Sequence, residues 1–157
     1  GIVIGLGVAL AVAVYVTNGL DFGEVGLRAW GGTGVFGGGG AGTVYRETAA
    51  QAGGRGEMIV ANNTVNPPAN ILTHFPALID GAATGDELAR ARVIVADRGR
   101  MKVLDNVRVN EMVVGSNAVL DLNFKTLKVG TRSLVQPTGQ IINYGAIIRP
   151  GSLFMLR

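Results

Sequence analysis

The sequence contains no cysteine, which excludes a disulfide scaffold, a thiolate-bound zinc or iron–sulfur centre and a thiol nucleophile. Histidine occurs once, at His74, and leaves little scope for a histidine-based metal site or catalytic triad. Charge is also sparse: 16% of residues are charged, against roughly 25% in ordinary domains. The balance of 14 Lys and Arg against 11 Asp and Glu gives a net charge of +3, too small a bias to argue for a nucleic-acid partner. No methionine precedes Gly1, and the chain reads as a processed product or a piece of something longer.

What is present in quantity is apolar surface and glycine. A chain of 157 residues with 48% hydrophobic content is long enough to bury one core unaided, and its apolar surface offsets the entropy of ordering, so disorder is excluded. Glycine contributes 25 residues, more than twice its ordinary share of roughly 7%. Residues 1–17 carry no charge, and as a helix they would span about 25 Å, just short of a hydrocarbon core. Gly1, Gly5 and Gly7, the many valines and the lack of a basic flank favour a buried strand there, so no membrane partner is expected.

Three stretches follow one another within one continuous domain. Residues 1–61 are a glycine-rich block, in which Gly31, Gly32, Gly34 and Gly37 to Gly40 separate short β-like segments. Residues 62–89 read as an irregular loop insertion, with Asn66-Pro67-Pro68, Phe75-Pro76 and a short helical turn starting at Thr84. Residues 90–157 are the most regular. Apolar centres fall near Val107, Val113, Leu120, Leu127, Leu134, Ile141, Ile147 and Phe154, so that a step of about 20 residues aligns Val107 with Leu127 and Ile147, Val113 with Leu134 and Phe154, and Leu120 with Ile141. Asn, Gly or Pro occupies the intervals, at Asn110, Asn117, Asn123, Gly130, Gly139, Asn143 and Gly145 among others.

This repeat predicts an all-β fold, a right-handed parallel β-helix with about 20 residues per coil and an irregular insertion near 62–89. Alternation of apolar and polar residues from Arg100 to Leu104 and from Asn106 to Asn110 gives each strand one buried and one wet face. A left-handed helix would need a strict six-residue period. The structural alternative, an antiparallel sandwich, has turns every 8–12 residues, wider than those here.

Several segments carry a resemblance. Val12-Ala13-Val14-Tyr15-Val16, then residues 20–29, then Gly38-Gly39-Gly40-Ala41-Gly42-Thr43-Val44-Tyr45, then Gly56-Glu57-Met58-Ile59-Val60-Ala61-Asn62-Asn63 follow the order of "GGRIAIYY", "GGAGTVYLK" and "G-L-I-V-D-N-N" segments. Residues 118–129 are similar to "ATLDLNGKTLTV" coils. Together they resemble the parallel β-helix repeats of giant bacterial cell-surface, adhesin-like extracellular proteins. Arg46 and Glu47 stand where Leu-Lys is usual, Ala61 where Asp is usual and Phe124 where Gly is usual, and residues 1–11 lack the glycine run and Arg that open the pattern. The resemblance implies a non-enzymatic structural or adhesive module, secreted or at a bacterial cell surface, and supplies no catalytic motif to transfer. A β-helix coil leaves unpaired N–H and C=O groups at both ends, so the expected partners are like subunits or adjoining coils meeting head to tail. Both chain ends fit this, since 1–17 is uncharged and 152–157 is apolar up to Arg157.

Candidate sites are few. Gly5-Leu6-Gly7 opens like a dinucleotide fingerprint, but Leu10 stands at the third glycine, and Gly37 to Gly42 lacks the lysine of a phosphate loop. Arg98, Arg100, Lys102 and Arg108 form a cationic series that alternates with apolar residues. Its plain reading is a solvated sheet face, and its functional reading is a ligand-binding stripe for acidic polysaccharide, the setting of a lyase or hydrolase. Trp30, Phe36 and Tyr45 are expected to cover backbone and pack the core, with a sugar-stacking patch as the alternative. Neither a catalytic residue, a metal site nor a cofactor is expected, and His74 is read as a packing residue beside Phe75.

Overall fold

A computed structural model describes residues 11–23, 26–34, 37–75 and 88–150. The strands in chain order are β1 (Ala11–Val16), β2 (Thr33–Gly34), β3 (Gly37–Gly38), β4 (Thr43–Thr48), β5 (Glu57–Ala61), β6 (Thr73–Phe75), β7 (Arg92–Ala96), β8 (Arg100–Val103), β9 (Val107–Val114), β10 (Val119–Asp121), β11 (Thr126–Val135), β12 (Gln140–Ile142) and β13 (Ala146–Ile148). One sheet has seven strands in the order β1-β4-β5-β7-β9-β11-β13, a second has four in the order β12-β10-β8-β6, and β2 and β3 form a separate ribbon. Among the described residues the only helical element is a 3-10 turn at Ala49–Gln51, and no helix is long and apolar enough to cross a membrane.

This topology corrects the expected fold class. A right-handed parallel β-helix requires every neighbouring strand to run the same way, whereas the seven-stranded sheet is mixed: β4 and β5 pair antiparallel, as do β2 and β3. The cause is connection length. Eight residues, 49–56, join β4 to β5, enough for a hairpin but short of the dozen or more that a parallel crossover needs. The much longer stretch between β1 and β4 does permit a parallel pair, with Ala13 opposite Tyr45 and Tyr15 opposite Glu47. Within 62–89, Thr73–Phe75 is itself a strand of the four-stranded sheet and pairs with β8.

The 20-residue step is nevertheless real as register. Val107, Leu127 and Ile147 occupy one parallel row, Val113 lies opposite Leu134, and Leu120 lies opposite Ile141. From β5 onward the strands alternate between the two sheets, and each sheet gains one strand per layer. The expected strand at Phe154 and the segments 1–10, 76–87 and 151–157, with both chain ends and the turn at Thr84, lie outside the described residues.

Period-2 alternation explains the core. Val93 and Val95 of β7, Met101 and Val103 of β8, Val107 and Val109 of β9, Leu120 of β10 and Leu127 and Val129 of β11 all point between the sheets and are buried. Each such side chain contributes roughly 1.5–3 kcal/mol through burial. At the corners, Asn117, Asn123 and Asn143 adopt positive φ, a backbone state that asparagine tolerates better than most residues. Gly145 is required for a different reason: a Cβ there would collide with the Lys125 carbonyl of the layer above.

One buried polar residue fastens the glycine-rich block to the sheets. Asn62 is fully buried and uses both ends of its amide: Oδ1 accepts from Gly31 N at 2.7 Å, and Nδ2 donates to Gly39 O at 3.0 Å and Val65 O at 3.1 Å. Backbone groups of Gly31, Gly39 and Val65 that lie outside the strands are thereby satisfied.

Leu120 tests this core directly. Replacing it with Asp would bury an unpaired carboxyl at a cost of several kcal/mol. Urea denaturation of Leu120→Asp should show a loss of that size or no folded baseline; a loss within 1 kcal/mol, on the order of an exposed substitution, would contradict the placement of this side chain.

Candidate functional site

On the outer face of the four-stranded sheet, Arg100 and Lys102 alternate with the buried Met101 and Val103, and Lys102 sits opposite the exposed His74 of β6. Arg98 lies in the turn just before β8. The structure thus brings three of the four expected ligand residues together and gives two of them another task. Arg98 Nη1 donates to Thr64 O at 2.6 Å and Arg100 Nη2 to Ala69 O at 3.2 Å, so both guanidinium groups hold the segment around 63–70 against the sheet. Arg108 stands apart, on the seven-stranded sheet beside Lys128.

Three other cations belong to a row that the sequence reading missed. Arg46, Glu57, Arg92, Glu111 and Arg132 are successive register partners on β4, β5, β7, β9 and β11, with signs alternating strand by strand. Arg46 Nη2 lies 2.6 Å and Arg92 Nη1 3.1 Å from the Glu57 carboxyl, and Arg92 Nε is 3.2 Å and Arg132 Nε 3.9 Å from that of Glu111. The 20-residue step, applied to charges of both signs, would have found Arg92, Glu111 and Arg132.

The aromatic residues are also separated. Trp30 lies on the outer face with Arg28 stacked 4.8 Å from its ring, over a cavity of about 20 Å³ lined by Val44, Ile59 and Ala61, room for a single water. Tyr45 faces the opposite side of the sheet, and Phe36 lies outside the described residues.

Around Tyr45 there is a larger opening, a cleft of about 320 Å³ lined by Tyr15, Tyr45, Glu47, Gly53, Gly54 and Leu88. The two tyrosine rings are 5.7 Å apart and inclined at 50°. Glu47 is only 9% exposed; its Oε2 accepts from Tyr45 OH at 2.5 Å and from Gly54 N at 3.2 Å, while its Oε1 accepts from no described residue. Burial raises the pKa of the Tyr45 phenol well above the ordinary tyrosine value of about 10, and the hydrogen bond and negative charge of Glu47 act in the same direction. Sequence alone offered no signal for this cleft, because Tyr15 and Glu47 are paired by the register of β1 on β4 and not by any spacing rule. Among the described residues no three His, Cys, Asp or Glu side chains converge as a metal site would require.

No protein-family model matches the chain, and no curated protein and no solved structure matches it.

Two measurements check this electrostatic picture. Glu57 pairs with two arginines that are partly solvated, so Glu57→Gln should cost about 1 kcal/mol at low ionic strength, with the deficit shrinking in 1 M salt, where the Debye length falls to roughly 3 Å; a deficit unaffected by salt would argue against an ionic row. For Tyr45, the folded state holds the phenolic proton more tightly than the unfolded state. Its contribution to stability is therefore complete below about pH 10 and is lost as pH rises beyond that. Chemical denaturation between pH 8 and pH 11.5 should show a steeper alkaline decline in the parent protein than in Tyr45→Phe, and parallel curves would refute the assignment.

Proposed function

We propose that this chain is a non-enzymatic structural or adhesive module of a secreted or cell-surface bacterial protein, in contact with like subunits or adjoining layers. The observation that carries the reading is the shared register of the two sheets. Arg92, Glu111 and Arg132 advance across the seven-stranded sheet while Met101, Leu120 and Ile141 advance across the four-stranded one, each step adding about 20 residues and one strand. From β5 onward every layer is joined to the next by backbone ladders over a continuous apolar core. A rigid, extensible body with paired charges along one outer face suits display and mechanical connection. The use of Arg98 and Arg100 to hold a neighbouring segment also reduces the case for a polysaccharide-cutting surface.

Electron micrographs of the purified native material should show the chain in an elongated or fibrous body, and incubation with pectin, alginate, hyaluronan or xylan, with and without calcium, should release no unsaturated or reducing ends. A compact monomer at high concentration by light scattering would contradict the structural role, and turnover abolished by Arg98→Ala or Arg100→Ala would replace it with a carbohydrate-active one.

A further inference from the structure

The two sheets are unequal, and the consequence is local. The four-stranded sheet ends at β6, whereas the seven-stranded sheet continues past β5 through β4 to β1. Among the described residues no strand lies opposite the inner face of β1, and its inward-alternating residues Ala11, Ala13 and Tyr15 are all exposed. Tyr15, 62% exposed, and Tyr45 therefore present ring surface to an opening whose floor holds the nearly buried Glu47.

We propose that this cleft binds a neutral saccharide, one or two pyranose units, through the rings of Tyr15 and Tyr45 and the carboxyl of Glu47. Volume, chemistry and charge agree on this class. A cleft of about 320 Å³ is at the lower end of small-ligand sites, which run from roughly 300 to 1,000 Å³. Tilted aromatic faces accept the flat C–H face of a pyranose, which removes apolar surface from water without requiring a deep pocket. Glu47 Oε1 accepts from no described residue, so a sugar hydroxyl entering the cleft can donate to it. The alternative ligand for a carboxyl between two tyrosines is an organic cation held by charge and by the ring faces. The Arg90 guanidinium argues against it, since it comes near Gly53 at the edge of the cleft and places a cation where an ammonium group would have to approach. Ala11 and Ala13 keep the approach along β1 flat.

The inference rests on the adhesive side of the proposed function and is tested separately from assembly. Saturation-transfer NMR and titration calorimetry of the full chain would use cellobiose, lactose, maltose and chitobiose as probes, with spermidine as the cationic probe. At least one disaccharide should bind in the millimolar range. Tyr15→Ala, at an exposed position, should keep the parent melting temperature and weaken binding at least tenfold, and Glu47→Gln should weaken it several-fold. Binding by none of the four sugars, sugar binding undiminished in both variants, or binding of spermidine alone would each overturn the proposal. None of those results bears on elongated assembly in micrographs, so the two readings fail independently.

Discussion

The constraint on which the rest depends is that one apolar core is shared by two sheets whose strands come from alternating stretches of the chain. Val95 and Val114, or Met101 and Leu120, are side-by-side neighbours in parallel ladders, so a residue suited to the interior in one layer must be followed about 20 residues later by another of the same kind. An ordinary antiparallel hairpin can meet the same demand within a few residues. Parallel pairing cannot, because the chain has to travel through the opposite sheet before it returns. The repeat is thus the signature of a path, and the path is set by burial on both of its sides.

The same constraint accounts for where regularity stops. Between β4 and β5 the chain turns back at once, reversing direction and starting the mixed part of the sheet. No strand of the four-stranded sheet is made in that interval, so the seven-stranded sheet outgrows its partner and the inner face of β1 is left without an opposing strand among the described residues. The segment 26–30 folds onto the outer face instead, and the glycine-rich ribbon lies against 65–71, fixed through Asn62, whose amide satisfies three backbone groups that no ladder reaches. Core, hairpin and cleft are consequences of one short connection.

How much of this was legible follows from which signals are local. The rows Val107–Leu127–Ile147 and Leu120–Ile141 could be read from spacing because each member repeats the chemistry of the last, and the corners could be read from Asn117, Asn123 and Asn143 because positive φ selects asparagine. The hairpin at 49–56 was not legible as a reversal: its glycines, Gly53 and Gly54 at positive φ, resemble those of any other turn in a glycine-rich block. Reading residues 1–61 as parallel β-helix coils fails at this reversal, and the expected fold class fails with it. Arg100 alternates outward on β8 while Arg98 falls in the turn before it, and sequence spacing cannot show that the carbonyls of Thr64 and Ala69 come within reach of them. Tyr15 and Glu47 were invisible for the same reason, since their meeting depends on the pairing of two strands separated by the ribbon.

A repeated apolar row leaves one ambiguity that packing cannot remove: a slip of one whole layer returns valine to valine and leucine to isoleucine at little cost. The charged row resolves it. Glu57, Arg92, Glu111 and Arg132 alternate in sign from layer to layer, so a one-layer slip would set arginine against arginine and glutamate against glutamate in directly opposed positions, where like charges destabilise a sheet. Layer-specific polar bonds reinforce the choice, with Ser116 N and Oγ donating to Gln136 Oε1, Asn117 N to Thr138 Oγ1, Thr126 N to Asn106 Oδ1 and Asn143 Nδ2 to Asp121 Oδ1. The apolar residues therefore determine that the strands stack, while the small polar minority determines which strand stacks on which.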